Sequence, residues 1–251
     1  MKGGHKDTVV ALLQRGADSI TPLMKAVEEG VKHDVMVLVE AGVPLNQRDS
    51  DGCTALIRSA QCGFNEILTY LLITAKANPD VKDKYGETAL SKATQKNSLE
   101  IVKTLIESGA NIEIANTSGT TALLIAAQYG HTDCVRLLIS ASANSKHQNN
   151  EGNTAIMIAS DKNSDACTVR ELLKMKPNID HQNKYGKTAL MLAAESGTKD
   201  IITELIDAGA DLNKKDRYND TALTIAQQYE HEDVVKAIEG WGLGDLDNVR
   251  K

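Results

Sequence analysis

The sequence predicts an all-α solenoid, a stack of short helix–turn–helix units repeated along one axis, and three observations indicate it. A motif of threonine, a small residue or proline, and leucine or isoleucine recurs every 33 or 34 residues, seven times along the 251-residue chain. Glycine or asparagine stands at matching positions in most of the units. Aromatic residues make up only 3% of the chain. They are too few for one large spherical core, whereas small aliphatic side chains suit a thin core shared between neighbouring repeats.

Each unit begins with a first helix whose start is marked by the motif threonine. The threonine hydroxyl can accept from a free N–H group of the first turn, and the alanine or proline that follows suits the first helical position. Five residues after the threonine the side chain is always small, which lets neighbouring helices approach closely. Nine residues after it, a residue that tolerates a left-handed conformation predicts the helix end, and only Glu230 departs from this rule. The motif threonines are Thr21, Thr54, Thr88, Thr121, Thr154, Thr188 and Thr221, and the helix-ending residues are Gly30, Gly63, Asn97, Gly130, Asn163 and Gly197.

A second apolar-periodic segment follows in each unit, as in Val135, Leu138 and Ile139, and predicts a helix that packs its apolar stripe on the first. It closes with a glycine–alanine pair or a relative of it. A polar stretch with glycine two residues before the next threonine then predicts a tight protruding turn. One extra residue lies within 75–78 and another within 161–166, and both are expected in surface loops.

These residues resemble the ankyrin repeat, whose motif reads D-x-x-G-x-T-P-L-H-x-A-A, followed by a glycine, a second helix and a glycine–alanine pair. The resemblance covers about residues 4 to 242. It implies L-shaped units of two antiparallel helices with a β-hairpin finger, stacked into an ankyrin-repeat solenoid. The histidine of T-P-L-H is missing throughout, so its hydrogen bond with the threonine cannot form. Mostly apolar substitutes are expected to compensate by packing: Met24, Ile57, Ser91, Leu124, Met157, Met191 and Thr224.

We expect a single ankyrin-repeat domain over residues 1–251. A partial repeat occupies residues 1–18, further repeats start near residues 19, 49, 83, 116, 149, 183 and 216, and a C-terminal cap covers residues 240–251. In that cap, Leu243 and Leu246 are expected to fold back over the last core. Because residues 4–18 match only a second helix, two interpretations stay open: a natural start with a degenerate cap, or a fragment of a longer or processed precursor.

Charge and hydropathy exclude two classes of partner. The formal net charge of -6 disfavours binding to nucleic acid and to anionic lipid surfaces. No apolar run approaches the roughly 18 residues of a membrane span, and residues 1–20 lack a secretory signal. We therefore expect a monomeric cytoplasmic protein without nucleic-acid or membrane partners. Export remains the alternative if the chain is cut from a precursor.

No residue pattern in the chain predicts catalysis, a cofactor or a metal site. The phosphate-binding pattern G-x-x-x-x-G-K-[ST] and the zinc pattern H-E-x-x-H are both absent. His131 and Cys134 have a spacing that two metal ligands could use, but both stand at regular repeat positions and no second pair is nearby in sequence. His147 and His181 align with each other at the start of fingers, where exposure to solvent is the expectation. The sequence thus predicts no catalytic residue, no metal ligand and no cofactor.

The resemblance implies that partners bind along the finger tips and the inner helices on one concave face. Five of the six tyrosines map to this face, and tyrosine is enriched at interface hot spots. The alternative is that these rings only pack between fingers, as similar tyrosines do in the family. The predicted partner-binding residues are Tyr85, Tyr129, Tyr185, Tyr218, Tyr229, Lys84, Glu87, Lys96, Glu151, Lys184, Lys187 and Arg217.

Two functional hypotheses follow from these features. The first is a non-enzymatic module that binds a folded protein or peptide through its finger and inner-helix face, acting as an adaptor or a stoichiometric inhibitor. The second is an ankyrin-repeat fragment of a larger multidomain protein, such as an enzyme or a channel. The half-repeat at the start of the chain motivates the second hypothesis.

The four cysteines generate a first testable prediction. Cys53, Cys62, Cys134 and Cys167 show no paired spacing, so all four thiols are expected to stay reduced in the folded protein. Alkylation of the denatured, unreduced chain should label four thiols by mass spectrometry. Fewer than four labels would contradict the prediction.

Overall fold

The computed structural model describes residues 21–161 and 165–248, with side chains to Trp241. The partial repeat predicted over residues 1–18 and the helix end predicted at Asn163 lie outside the described residues, as do the side chains of Leu243 and Leu246. The chain divides into two compact units, residues 1–117 and residues 118–251, and each is described by itself.

Both units consist of helix pairs. The first contains α1 (Pro22–Glu28), α2 (Lys32–Glu40), α3 (Ala55–Cys62), α4 (Asn65–Thr69) extended by a π-helical turn (Tyr70–Thr74), α5 (Ala89–Gln95) and α6 (Leu99–Glu107). The second contains α7 (Ala122–Gln128), α8 (Thr132–Ser140), α9 (Ala155–Ala159), α10 (Ala166–Leu173), α11 (Ala189–Ser196), α12 (Lys199–Asp207), α13 (Ala222–Gln228) and α14 (Glu232–Asn248). The predicted all-α solenoid of helix–turn–helix repeats is confirmed. The segment predicted as a cap from residue 240 begins inside α14, which continues through Gly240 to Asn248.

No β-strand occurs among the residues that the structure describes, so the β-hairpin fingers implied by the resemblance are not formed as strand pairs. A finger, defined here as the five residues before a motif threonine, is instead a tight turn. In the finger 49–53 the N–H of Asp49 donates to the Cys53 carbonyl at 3.0 Å, and the N–H of Gly52 donates to the Asp49 carbonyl at 2.9 Å. A finger that consists of this single tight turn is too short for the series of backbone hydrogen bonds that pairs two strands.

Five of the motif threonines cap a first helix as predicted, whereas Thr121 and Thr154 make no capping hydrogen bond; the five are Thr21, Thr54, Thr88, Thr188 and Thr221. Thr54, for example, accepts from the N–H of Ile57 at 3.4 Å. The position of the missing histidine is filled in two ways. Ser91 and Thr224 accept from the N–H groups of Thr88 and Thr221, each at 2.8 Å, and so complete a reciprocal cap. The other substitutes are buried side chains, as expected: Met24, Ile57, Leu124, Met157 and Met191.

The left-handed helix ends are confirmed at the described glycines and at Asn97, and the exclusion of Glu230 was wrong. Glu230 has a φ of 59° and takes the same conformation, because the chain must reverse there to start α14. Glycine is required at Gly197 for a second reason: a Cβ on it would lie 2.7 Å from the imidazole ring of His231. The two positions therefore differ in packing, and only Gly197 excludes a side chain.

The extra residue within 75–78 is accommodated in the helix before it, and the expectation of a surface loop was wrong. The N–H of Ala77 donates to the carbonyl of Leu71, six residues earlier, at 2.8 Å. In the next repeat the N–H of Ala110 reaches the carbonyl of Leu105, only five residues earlier, at 3.0 Å. The added residue widens the last turn of this helix into the π-helical turn Tyr70–Thr74 and leaves the following finger in register.

Charged side chains anchor the fingers of the first unit. Asp49 Oδ1 accepts from the N–H groups of Asp51 and Cys53, both at 2.9 Å. Its Oδ2 accepts from Arg58 at 2.6 Å, and Arg58 also reaches Asp51 at 3.0 Å. Burial alone would lower the pKa of Arg58, but the hydrogen bond to Asp49 raises it overall. The finger carboxylate is therefore neutralised by a cation on the inner face of α3.

The close packing of the first helices predicts a large free-energy cost for removing a core side chain. Leu123 in α7 is 1% exposed, so Leu123→Ala should destabilise the protein by about 2 to 5 kcal/mol through lost contacts and a cavity. Urea unfolding would measure the change, with Lys103→Ala on the exposed face of α6 as the control. Equal shifts for the two variants would contradict this description of the core.

The finger anchor predicts a compensating pair of substitutions. Arg58→Ile leaves the Asp49 carboxylate, which is 2% exposed in its side chain, without a cation and should cost about 3 kcal/mol. Adding Asp49→Asn should restore most of the loss, because Asn183 in the second unit makes the same backbone hydrogen bonds with Leu192 at the position of Arg58. Unfolding midpoints of the single and double variants test this. A double variant no more stable than Arg58→Ile would exclude neutralisation as the reason for the pair.

Candidate partner-binding groove

A groove of about 530 Å³ lies in the second unit, between its fingers and the inner faces of its first helices. It combines an apolar floor, carboxamide side chains, two tyrosines and three charged groups. The lining residues are Thr120, Gln128, Asn149, Glu151, Asn153, Met157, Ile158, Asp161, Asn183, Tyr185, Lys187, Leu192 and Tyr218. These residues together are called the groove.

The floor is formed by Ile158 and Leu192, which are half-buried, together with the buried Met157. Ile158 and Leu192 each stand four residues after a motif threonine. In the first unit the same position holds a cation, Arg58 or Lys92, that pairs with finger carboxylates. Neither Ile158 nor Leu192 was predicted from the sequence as a floor residue, although the change from basic to aliphatic residues at one repeat position was a signal of the floor.

Carboxamides replace the finger carboxylates around the groove. Asn149 Oδ1 accepts from the N–H groups of Glu151 and Asn153, both at 3.0 Å. Asn183 Oδ1 accepts from the N–H groups of Tyr185 and Lys187 at 2.9 and 3.0 Å, while its Nδ2 donates to Asn153 Oδ1 at 2.8 Å. The fingers are thus held in the same way as in the first unit, but without a buried charge.

Tyr185 and Tyr218 border the groove with exposed rings. Tyr185 is 51% exposed and Tyr218 is 80% exposed, large values for aromatic side chains held on ordered backbone. The N–H of Tyr218 donates to Asp216 Oδ1 at 2.8 Å, so its finger is fixed as that of Tyr185 is. Rigid backbone under an exposed ring lowers the entropy lost when a partner contacts it.

The charges of the groove are unequal. Lys187 donates to Glu195 Oε2 at 2.5 Å and is therefore neutralised by a carboxylate of α11. Glu151 is exposed and accepts from Asn153 Nδ2 at 3.1 Å, and Asp161 accepts from the Ser196 hydroxyl at 2.9 Å. Two carboxylates therefore face a single ammonium group that is already paired.

The structure brings four of the predicted partner-binding residues together in the groove: Glu151, Tyr185, Lys187 and Tyr218. Lys184 and Arg217 are exposed on the same fingers but do not line it. Tyr129 stacks on His131 with ring centroids 5.7 Å apart. The Tyr229 hydroxyl donates to Glu195 Oε1 at 3.0 Å, and this hydrogen bond raises the pKa of Tyr229. Tyr229 thus helps to hold the pair of Glu195 and Lys187.

The remaining predicted residues belong to the first unit. Lys84 Nζ lies 2.6 Å from Asp51 Oδ1 and 5.1 Å from the centre of the Tyr85 ring. The hydrogen bond from Lys84 holds the pKa of Asp51 below its usual value. Glu87 forms an ion pair with Lys92, and Lys96 is exposed. On this unit the charges are largely satisfied by one another.

Two histidines, His147 and His181, and the buried thiols of Cys53 and Cys134 belong to the framework. His147 Nε2 lies 2.8 Å from the Gly119 carbonyl oxygen, and His181 Nε2 lies 3.0 Å from that of Gly152. A carbonyl only accepts, so each Nε2 donates and ties one turn to the next. The expectation that these two histidines face solvent was wrong. Burial raises the pKa of the Cys53 and Cys134 thiols to about 11, so neither is a nucleophile at neutral pH.

A metal-binding cluster and a membrane-spanning helix are both missing from the part of the chain that the structure describes. The described residues hold no group of three or more histidine, cysteine, aspartate and glutamate side chains that could bind a metal ion. Within the same residues, no helix has both the length and the apolarity that a membrane span requires.

Comparison with known proteins places these features in a family. A model of ankyrin repeats in three copies matches residues 1–83, 65–116, 90–169 and 162–240. The rat protein named glutaminase liver isoform, mitochondrial, is 40% identical over 65 residues, which are 26% of this chain and 11% of that protein. The Arabidopsis thaliana serine/threonine-protein kinase 12 is 32% identical over 83 residues, 33% of this chain and 18% of the kinase. The chain therefore matches only a small part of each of these relatives.

Solved structures match most of the chain. The ankyrin repeat domain of Bcl-3, described as a unique member of the IkappaB protein family, is 28% identical with a TM-score of 0.76, over 88% of this chain and 99% of that one. The human ASB11 ankyrin repeat domain is 24% identical with a TM-score of 0.76, over 87% and 96%, and shares the fold. The ankyrin repeat protein EF0377 has a TM-score of 0.68 at 28% identity, over 73% and 96%. The repeat motif, the helix pairs and these matches together show that the chain belongs to the ankyrin repeat family.

Proposed function

We propose that this chain is a non-enzymatic module that binds another protein through the groove of its second unit, as an adaptor or a stoichiometric inhibitor. The observation that carries the proposal is the combination of two exposed tyrosines, Tyr185 and Tyr218, with the half-buried aliphatic floor of Ile158 and Leu192. Aromatic side chains beside an apolar centre are the usual composition of an interface hot spot.

The polar side chains of the groove suit binding better than catalysis, because several of them already make hydrogen bonds within the chain. The asparagines of the groove use their oxygens to hold finger backbone, and Lys187 is paired with Glu195. No serine, cysteine or histidine is among the lining residues. The lining therefore offers no serine or cysteine nucleophile beside an imidazole base.

The cellular form that fits this proposal is a cytoplasmic monomer. Cys53, Cys62, Cys134 and Cys167 are free in the structure, as expected in a reducing compartment. Neither nucleic acid nor membrane is a proposed partner, given the net charge of -6.

A second candidate function is an ankyrin region of a larger protein that contains an enzyme or a channel. It is favoured by the two relatives named a glutaminase and a kinase, of which the matching segments are only 11% and 18%. Sequencing the transcript upstream of the Met1 codon tests it. An open frame that continues into another domain supports this candidate, and an in-frame stop codon directly upstream excludes an N-terminal extension.

The groove predicts how tyrosine substitutions affect affinity. Truncation of hot-spot aromatics typically costs 2 kcal/mol or more, so Tyr185→Ala combined with Tyr218→Ala should weaken partner binding by at least about thirtyfold. Stability should change little because both rings are exposed. Affinity purification from the native source identifies the partner, and calorimetry with the purified partner measures the affinity.

The matched control is Lys103→Ala combined with Glu107→Ala, two exposed changes on α6 that should alter the binding free energy by about 0.5 kcal/mol at most. A sharp loss of thermal stability in the double tyrosine variant, at constant affinity per folded molecule, would mean that the rings only pack between fingers. The groove would then lose its role in binding.

A further inference from the structure

We propose that the partner segment in the groove is cationic: an arginine or lysine side chain lies along Ile158 and Leu192 and places its charge between Glu151 and Tyr185. This assignment rests on the proposed function, protein binding at the same groove, and adds the chemistry of the partner. Three observations carry it: the charge of the groove, an internal example of the same contact in the first unit, and the shape of the floor.

One carboxylate of the groove lacks a cation. Within the described residues Glu151 forms no ion pair, while the Lys187 ammonium is held by Glu195 at 2.5 Å. The exposed Lys184 and Arg217 lie on the same fingers outside the lining. A partner cation is attracted to this surface, whereas a partner carboxylate placed there is repelled. A purely apolar partner would take water from the carboxylates without replacing its hydrogen bonds.

The first unit already contains a cation in the proposed arrangement. Lys84 Nζ lies 2.6 Å from Asp51 Oδ1 and 5.1 Å from the centre of the Tyr85 ring. Asp51 and Glu151 both stand three residues before a motif threonine, and so do Tyr85 and Tyr185. The backbone joins the two fingers in the same way, with Lys84 N–H to Asp51 carbonyl at 2.9 Å and Lys184 N–H to Glu151 carbonyl at 3.0 Å. Glu151 and Tyr185 are therefore the counterparts of a carboxylate and a ring that hold a cation.

In the second unit, no lysine of the described residues occupies the corresponding position between the Glu151 carboxylate and the Tyr185 ring. Lys184 is the counterpart of Lys84, but within the described residues it neither pairs with Glu151 nor lies over the Tyr185 ring. Glu151 accepts instead from Asn153 Nδ2 at 3.1 Å. A partner cation can then take the position that Lys84 takes in the first unit. Contact with the ring face adds an attraction that an aliphatic residue would lack.

The floor suits the rest of such a side chain. Arginine and lysine carry an apolar stem of three or four methylene groups below the charged head. Ile158 and Leu192 are the half-buried aliphatic residues on which this stem can lie, and in the first unit the same repeat position is occupied by charged Arg58 and Lys92. A groove of about 530 Å³ is in the range of pockets that enclose a small ligand, and thus of a short peptide segment.

The assignment is tested by nuclear magnetic resonance of the full chain titrated with small probes. N-acetylarginine methylamide is compared with N-acetylcitrulline methylamide, its neutral isostere, and with N-acetylglutamate methylamide. The arginine probe should shift the backbone amides of Glu151, Ile158, Tyr185 and Leu192 with saturation, and bind at least about fivefold more tightly than the citrulline probe. The glutamate probe should leave these amides unchanged. Equal binding of arginine and citrulline probes, or arginine-induced shifts confined to other residues, would overturn the assignment.

Substitutions identify the carboxylates that cause the preference for the arginine probe. Glu151→Gln combined with Asp161→Asn should abolish the preference for arginine over citrulline, and the matched control Glu100→Gln combined with Glu107→Gln, which removes the same charge from α6, should retain it. Lys184→Ala should keep or strengthen arginine binding, because it removes the residue that would compete for Glu151. Loss of arginine binding in Lys184→Ala would show that Lys184 forms the site, against the proposal.

The purified partner separates this inference from the proposed function. In one outcome, the partner needs Tyr185 and Tyr218 but binds the Glu151→Gln, Asp161→Asn variant at full affinity. This result overturns the assignment of a cationic partner segment and leaves the proposed function intact. An arginine response that depends on the carboxylates, with no partner that depends on the tyrosines, supports the cation site and overturns the proposed function.

Discussion

The hydrogen bonds from finger backbone to one aspartate or asparagine side chain are the interaction on which the inner face depends. In the fingers that begin at residues 49, 83, 149, 183 and 216, the side-chain oxygen of the first residue accepts from two N–H groups, those two and four residues later, as Asp83 does from Tyr85 and Glu87, both at 2.8 Å. This side chain takes the place of a second turn of backbone pairing, which a five-residue finger cannot form. It determines where the third finger residue points, and that residue is a tyrosine in three of the repeats. Rotation of the finger would move the tyrosine and the neighbouring charge together.

At residues 49, 83, 149 and 183 the choice between aspartate and asparagine goes with the polarity of the adjacent helix face, whereas the half-buried Asp216 has Ile225 at the matching helix position. A buried carboxylate requires a cation, and in the first unit Arg58 and Lys92 provide it from α3 and α5. A carboxamide has the same acceptor geometry without the charge, so at Asn149 and Asn183 the helix position is released to isoleucine and leucine. Asparagine in place of aspartate in a finger thereby permits an apolar floor on the neighbouring helix. The two units use one backbone plan with different surface chemistry.

Sequence reasoning succeeded where a residue acts within its own repeat. Five of the seven threonine caps, the small residue that lets helices approach and the glycine turns follow from local rules, and the structure has Ala93, Ala126 and Ala193 fully buried as those rules require. It failed where the outcome depends on a partner elsewhere in the chain. Glu230 takes a left-handed conformation because of the helix that follows it, His147 and His181 bond to preceding turns, and the groove floor depends on the finger residue opposite. For the predicted binding residues, exposure could be inferred from repeat position, but the pairing of Lys187, Lys84 and Glu87 could not.

The π-helical turn Tyr70–Thr74 shows how a repeat array can change length without losing its spacing. A helix that widens by one residue at its last turn keeps the next finger in place, so a codon insertion there is absorbed locally instead of displacing every later repeat. Ile73 at this turn is 55% exposed. The same point of the chain is therefore a natural place to introduce a fluorophore or a cross-linker for observing the protein bound to its partner, at a distance in sequence from the groove.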